Sequence, residues 1–104
     1  MPAKHLILND LAELMDFSEN NPEQIHLQTY KVLNQEWKKT KTFSEVELFV
    51  VKLSNDEELE EVVLTVQDYE WETALELGLE HFESTENYEM CSKVQKLLET
   101  IKIK

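Results

Sequence analysis

The chain has 104 residues, with 22 acidic side chains against 10 lysines, no arginine, one glycine, two prolines and one cysteine. A net charge of −12 without arginine argues against direct contact with nucleic-acid phosphates or anionic lipid, and one cysteine excludes an internal disulfide. Surface scaling with chain size lets about two thirds of the unfolded surface be buried, which supports one core and one domain over 1–104.

Near the amino terminus only Leu6 to Leu8 are consecutively apolar, too few for a secretory segment, and no run approaches the roughly 18 apolar residues of a membrane span. The expectation is a cytoplasmic protein with no membrane contact. Its charge comes in blocks: residues 1–44 carry net −1, residues 45–89 net −14 with Lys52 as their one lysine, and residues 90–104 net +3. No low-complexity tract or Gly/Ser linker separates the blocks, so they are expected to be faces of one folded surface.

A single glycine argues against many primed hairpin turns, which need positive φ, and makes helices the default. Ile7, Leu11, Leu14 and Met15 form a helical stripe, predicting a first helix over about 6–17. Asn21 is placed as an N-cap, with Pro22 at the first helical position, for a second helix of roughly 22–39. Ile25, Tyr30, Leu33 and Trp37 share one side of it, although Leu27 and Val32 break the stripe.

Residues 42–67 are rich in valine yet carry two capping-box patterns, Thr42-Phe43-Ser44-Glu45 and Ser54-Asn55-Asp56-Glu57. Val46, Phe49, Val50 and Leu53 follow the first at helical spacing. Leu59, Val62, Val63 and Val66 follow the second, leaving Glu57, Glu60 and Glu61 for solvent. Two helices are expected here. The alternative is a β-hairpin pairing Glu47–Leu53 with Val62–Val66, which the β-branched content favours.

In the last third, Asp68 can cap a helix running to about Ser84, with Trp71, Ala74, Leu75, Gly78 and Phe82 on its buried face. After Thr85-Glu86-Asn87 a final helix turns Tyr88, Cys91, Val94, Leu98 and Ile101 inward, making an αα-hairpin. The segment Tyr88-Glu89-Met90-Cys91-Ser92-Lys93-Val94, with Leu79 upstream, resembles the UVR helical hairpin of bacterial excision-repair proteins over residues 79–101. The usual arginine and aspartate of that hairpin are Gln95 and Lys96 here. The hairpin also resembles one tetratricopeptide-type unit, with Gly78 facing the small Cys91. Both resemblances imply protein contacts rather than chemistry. The expected architecture is thus all-α, five or six short helices in one small bundle ending in an αα-hairpin, with an α+β fold carrying a hairpin around 46–66 as the alternative.

The chemistry-bearing residues are few. Glu23 and His26 have the i, i+3 spacing of di-iron bundles, but His5 and His81 lack a second carboxylate three residues upstream. Cys91 sits within an apolar stripe, which predicts an inert thiol. Phe17, Phe43, Met15 and Met90 flank helix ends and carry no assigned site. No phosphate-binding glycine loop or paired-cysteine motif is present. No catalytic, metal or cofactor site is expected.

The carboxylates carry more information. Glu72, Glu76, Glu80 and Glu83 follow i, i+4, i+8, i+11, and like charges at i, i+4 cost about 0.2–0.5 kcal/mol each. Such a stripe is either a solvated face relieved by Lys93, Lys96 or the Lys38-Lys39-Lys41 cluster, or an electrostatic docking surface. The expected function is a non-enzymatic adaptor or regulator that docks Glu57, Glu60, Glu61, Glu72, Glu76, Glu80 and Glu83 onto another protein with a basic surface. Homodimerisation fits the same reading. The alternative is an acidic mimic of nucleic acid that inhibits a DNA- or RNA-binding protein. Carboxylates at i+4 recur about every 6 Å while a DNA strand presents a charge about every 3.4 Å, so a mimic needs a second stripe beside the first.

Overall fold

The valine-rich middle of the chain forms strands, and helices surround it in sequence. The computed structural model describes residues 4–8, 11–55 and 58–103. The elements are strand β1 (Lys4–Leu8), helices α1 (Leu11–Asn20) and α2 (Pro22–Thr40), strands β2 (Val46–Asn55) and β3 (Glu58–Val66), a 3-10 turn (Asp68–Glu70), and helices α3 (Trp71–Ser84) and α4 (Tyr88–Ile103). This α+β arrangement overturns the all-α expectation of five or six helices. Among the described residues there are four α-helices and one three-stranded sheet, ordered β1-β2-β3.

The reason lies in β2. Leu48, Phe49, Val50 and Val51 are consecutive and all buried. A helix buries one stripe and would leave part of that run in water, whereas a central strand buries both its faces. Val46, Phe49, Val50 and Leu53 fit a helical stripe as well, so spacing alone could not separate the two. β-branching tilts the balance, because Val46, Val50, Val51, Val62, Val63, Thr65 and Val66 all favour extended backbone, and pairing with β1 and β3 settles it. The second capping pattern dissolves accordingly: Ser54 and Asn55 end β2, Asn55 pairs with Glu58, and Asp56 and Glu57 lie outside the described residues.

β1 corrects the first expected helix. Residues 4–8 pair in parallel with β2, Leu6 opposite Val51 and Leu8 opposite Leu53, and the helix proper begins at Leu11. Parallel neighbours need a long crossover, which α1 and α2 supply. Asn21 occupies the N-cap position of α2, but its amide donates back to the Phe17 carbonyl at 3.2 Å and so closes α1 instead.

A bulge between Glu47 and Phe49 leaves Leu48 without a partner in β3. The buried Gln28 of α2 satisfies it, donating from Nε2 to the Leu48 carbonyl at 2.9 Å. This bond fixes α2 on the sheet. On its other side α2 packs against α3, and α3 packs against α4. The resulting stack is extended, with a radius of gyration of 14.7 Å against about 13 Å for a compact chain of this length.

One aromatic corner joins the layers. Trp71, 1% exposed, opens α3 and donates its indole N–H to the Ser44 carbonyl at 2.8 Å. Its ring meets Trp37 of α2 at 6.3 Å and Phe43 at 5.3 Å, both edge-to-face. Phe43 therefore has a packing role despite being 44% exposed, and Phe17 likewise meets Phe49 edge-on at 5.8 Å. Met15 stays exposed and Met90 is half-buried.

Candidate functional site: two clefts on α4

The turn into α4 follows from its hydrogen bonds. Glu86 N–H donates to the Glu83 carbonyl and Asn87 N–H to the Phe82 carbonyl, the paired closure of a Schellman motif. That motif puts Glu86 at φ 60°, a left-handed conformation in which glycine is the usual occupant. Asn87 then caps α4, its Oδ1 accepting the Met90 N–H at 3.3 Å. The hairpin thus leaves α4 lying along α3, with Val94, Leu97, Leu98 and Ile101 buried. Tyr88, expected inward, is 67% exposed, while Met90 and Cys91 of the same turn pack against the core.

Two stripes flank that buried line. Gln95, Leu98, Glu99 and Lys102 face α3, where Glu76, Leu79, Glu80 and Glu83 complete a groove of about 510 Å³. Here Glu76, Glu80 and Glu83 of the acidic stripe line one wall of the groove. Lys102 lies 3.5 Å from Glu72 and 3.9 Å from Glu76, relieving their mutual repulsion. All three side chains are about half exposed, so the pairs contribute at most about 1 kcal/mol. Among the described residues Glu80, Glu83 and Glu99 have no ion pair.

The remaining expected members are elsewhere. Glu61 is an exposed residue of β3 opposite Lys52, Glu60 is placed by its register opposite Leu53, and Glu57 lies outside the described residues. The second helical stripe on which both the wider docking face and the mimic depended is therefore a strand. Glu99 joins the site in its place. It escaped the sequence reading because it belongs to the net-positive terminal block.

The opposite side of α4 holds lysines that were expected to relieve the acidic stripe, a role that Lys102 takes instead. Lys93, Lys96, Leu97 and Thr100 face Tyr30, Asn34, Trp37, Lys38 and Lys41, around a cleft of about 580 Å³. Four of the chain's ten lysines converge there. Lys93 pairs with Glu89 at 3.3 Å on the exposed surface, and among the described residues Lys38 and Lys96 have no ion pair. Lys41 closes α2 in the left-handed region, φ 56°, its N–H donating to the Trp37 carbonyl. The signal was present as two lysine pairs at i, i+3, but only tertiary packing brings them together.

A third cluster joins α2 to α3. His26 and His81 stack with ring centroids 5.0 Å apart, and both meet Phe82 edge-on. Gly78, expected to face Cys91, instead has His26 nearest to where a Cβ would stand, at 3.5 Å. Burial, and secondarily the neighbouring His81, hold the His26 pKa below its ordinary value of 6.5. His81 Nε2 is buried and, among the described residues, has no hydrogen-bond partner. Cys91 is half-buried beside the core.

Among the described residues, no group of three or more His, Cys, Asp and Glu side chains is arranged to hold a metal ion, and no helix is long and apolar enough to cross a membrane. Comparison with protein-family models, with curated proteins and with solved structures finds no match to this chain.

Proposed function

We propose that this protein is a non-enzymatic adaptor or regulator that docks a basic segment of another protein into the acidic groove between α3 and α4. The observation that carries this reading is the groove itself. Among the described residues Glu80, Glu83 and Glu99 have no ion pair, and they surround an apolar floor of Leu79 and Leu98. Carboxylates held near one another oppose folding slightly and favour a cationic partner, while the leucines supply area that a lysine- or arginine-bearing segment can cover with its methylenes. Docking of this kind is fast at low salt and loses strength as salt rises. The α3–α4 hairpin also carries the segment that resembles a UVR-type or tetratricopeptide-type unit, which fits a protein partner.

The test is capture of partners from a lysate of the native host on the wild-type protein and on the triple variant E80K/E83K/E99K. Each is washed at about 0.1 and 0.5 M salt, between which the screening length falls about twofold. The expected result is a partner retained at low salt and lost from the triple variant, whose circular dichroism stays that of the folded protein. Equal capture by both proteins would remove the groove from consideration. Release by duplex DNA would instead identify a nucleic-acid mimic.

A further inference from the structure

We propose that the cleft between α2 and α4 binds a small phosphate-bearing anion, held by Lys38, Lys41, Lys93 and Lys96. This is a second site, independent of the acidic groove, and it goes beyond the docking reading. Its size, about 580 Å³, falls in the range of small-ligand sites. The charge arrangement is the main argument. Lys38 and Lys41 repel one another along α2, Lys93 and Lys96 do so along α4, and the fold then brings the two pairs to one cleft. In a chain with 22 carboxylates such pairs could each have been neutralised locally, yet Lys38 and Lys96 have no ion pair among the described residues.

The net charge of −12 does not cancel this site. Glu76, Glu80 and Glu83 of the α3–α4 groove are carried by α3 on the far side of α4, and a helix with its side chains is about 10–12 Å across, more than the screening length of about 8 Å at physiological salt. Glu99 lies three residues from Lys96 on α4 itself, and among the described residues the two form no ion pair. At the cleft's rim Lys93 pairs with Glu89, an exposed contact that a polyanion can displace.

The donor chemistry fits phosphate. Ammonium groups are compact point charges suited to phosphate oxygens. Four ammonium groups match the three to four charges of a di- or triphosphate. Asn34 adds an amide donor, and Tyr30, Trp37 and Leu97 form a wall against which an organic portion can rest.

The experiment is calorimetric titration of the full chain with tripolyphosphate, adenosine triphosphate and citrate at about 0.02 and 0.15 M salt. It is repeated on K38Q/K96Q and on K4Q/K52Q, whose lysines lie on the sheet. All four positions are exposed, and circular dichroism verifies folding. One-site binding of tripolyphosphate is expected, weaker at higher salt and tighter than that of citrate in both conditions. Losing two charge-assisted contacts should weaken it about a hundredfold in K38Q/K96Q and leave K4Q/K52Q unchanged. Tighter binding of adenosine triphosphate would assign the cleft to a nucleotide, and tighter binding of tripolyphosphate to an inorganic anion. Absence of saturable binding at low salt, equal weakening in both variants, or citrate binding as tight as tripolyphosphate would each overturn the proposal.

Discussion

On one side of α4, Lys93, Lys96 and Thr100 face the lysines of α2; on the other, Gln95, Glu99 and Lys102 face the glutamates of α3. Both stripes use the same i, i+3, i+4, i+7 spacing, offset by two residues, and they share the buried line of Val94, Leu97, Leu98 and Ile101. The acidic side is partly neutralised from within by Lys102, while on the basic side Glu89 pairs with Lys93 at the exposed surface. Net charge is thus a poor description of this molecule. What a partner meets is set by which side of one helix it approaches, because the lysines of α2 and the glutamates of α3 stand a helix width apart across α4.

The contrast can be broken most severely by removing what both sides share. Trp71 links α3 to α2 and to the Ser44 carbonyl, so Trp71→Ala should cost about 3–5 kcal/mol of stability and abolish both binding activities together. Chemical denaturation checks it; a loss below about 1 kcal/mol would show that the aromatic corner is not the joint. A milder change sharpens the acidic side. Glu86→Gly relieves a left-handed residue in the α3–α4 turn and should stabilise the protein by about 1 kcal/mol, read as a higher urea midpoint, with the basic cleft unaffected.

The smallest effect concerns the α2–α3 joint. A histidine held neutral by its surroundings contributes its full stability above the ordinary pKa of 6.5, and that contribution is lost as pH falls from there through the depressed folded value. His26 is only half-buried, and solvent screening keeps the effect modest. Wild type should therefore lose more stability between pH 7.5 and pH 5.5 than His26→Gln does, measured by melting temperature. Equal losses would show that the His26–His81 stack does not sense pH.

Much of the helical framework was legible in the residues. Pro22 marks the start of α2, and Trp71, Leu75, Phe82, Val94, Leu98 and Ile101 are buried as their spacing predicts. The sheet was not legible as the leading reading, because Val46, Phe49, Val50 and Leu53 satisfy a helical stripe and a buried strand equally. What separates them is the partner: β1 and β3 on either side of β2. The candidate site divides along the same line. Glu76, Glu80 and Glu83 are neighbours in one helix and could be read together, whereas Glu99 joins them only through the α3–α4 hairpin. The lysine cleft needs α2 and α4 to converge over more than 50 residues of sequence, which local periodicity cannot report.

The most direct test of the account follows backbone amide shifts by nuclear magnetic resonance while the same sample is titrated first with tripolyphosphate and then with an oligolysine peptide. Saturable shifts are expected around Asn34, Lys38, Lys96 and Thr100 for the anion, and around Leu79, Glu80, Glu83 and Glu99 for the peptide, with little overlap. Shifts on the same residues for both ligands, or shifts spread over the whole surface, would contradict the claim that α4 separates two sites of opposite charge.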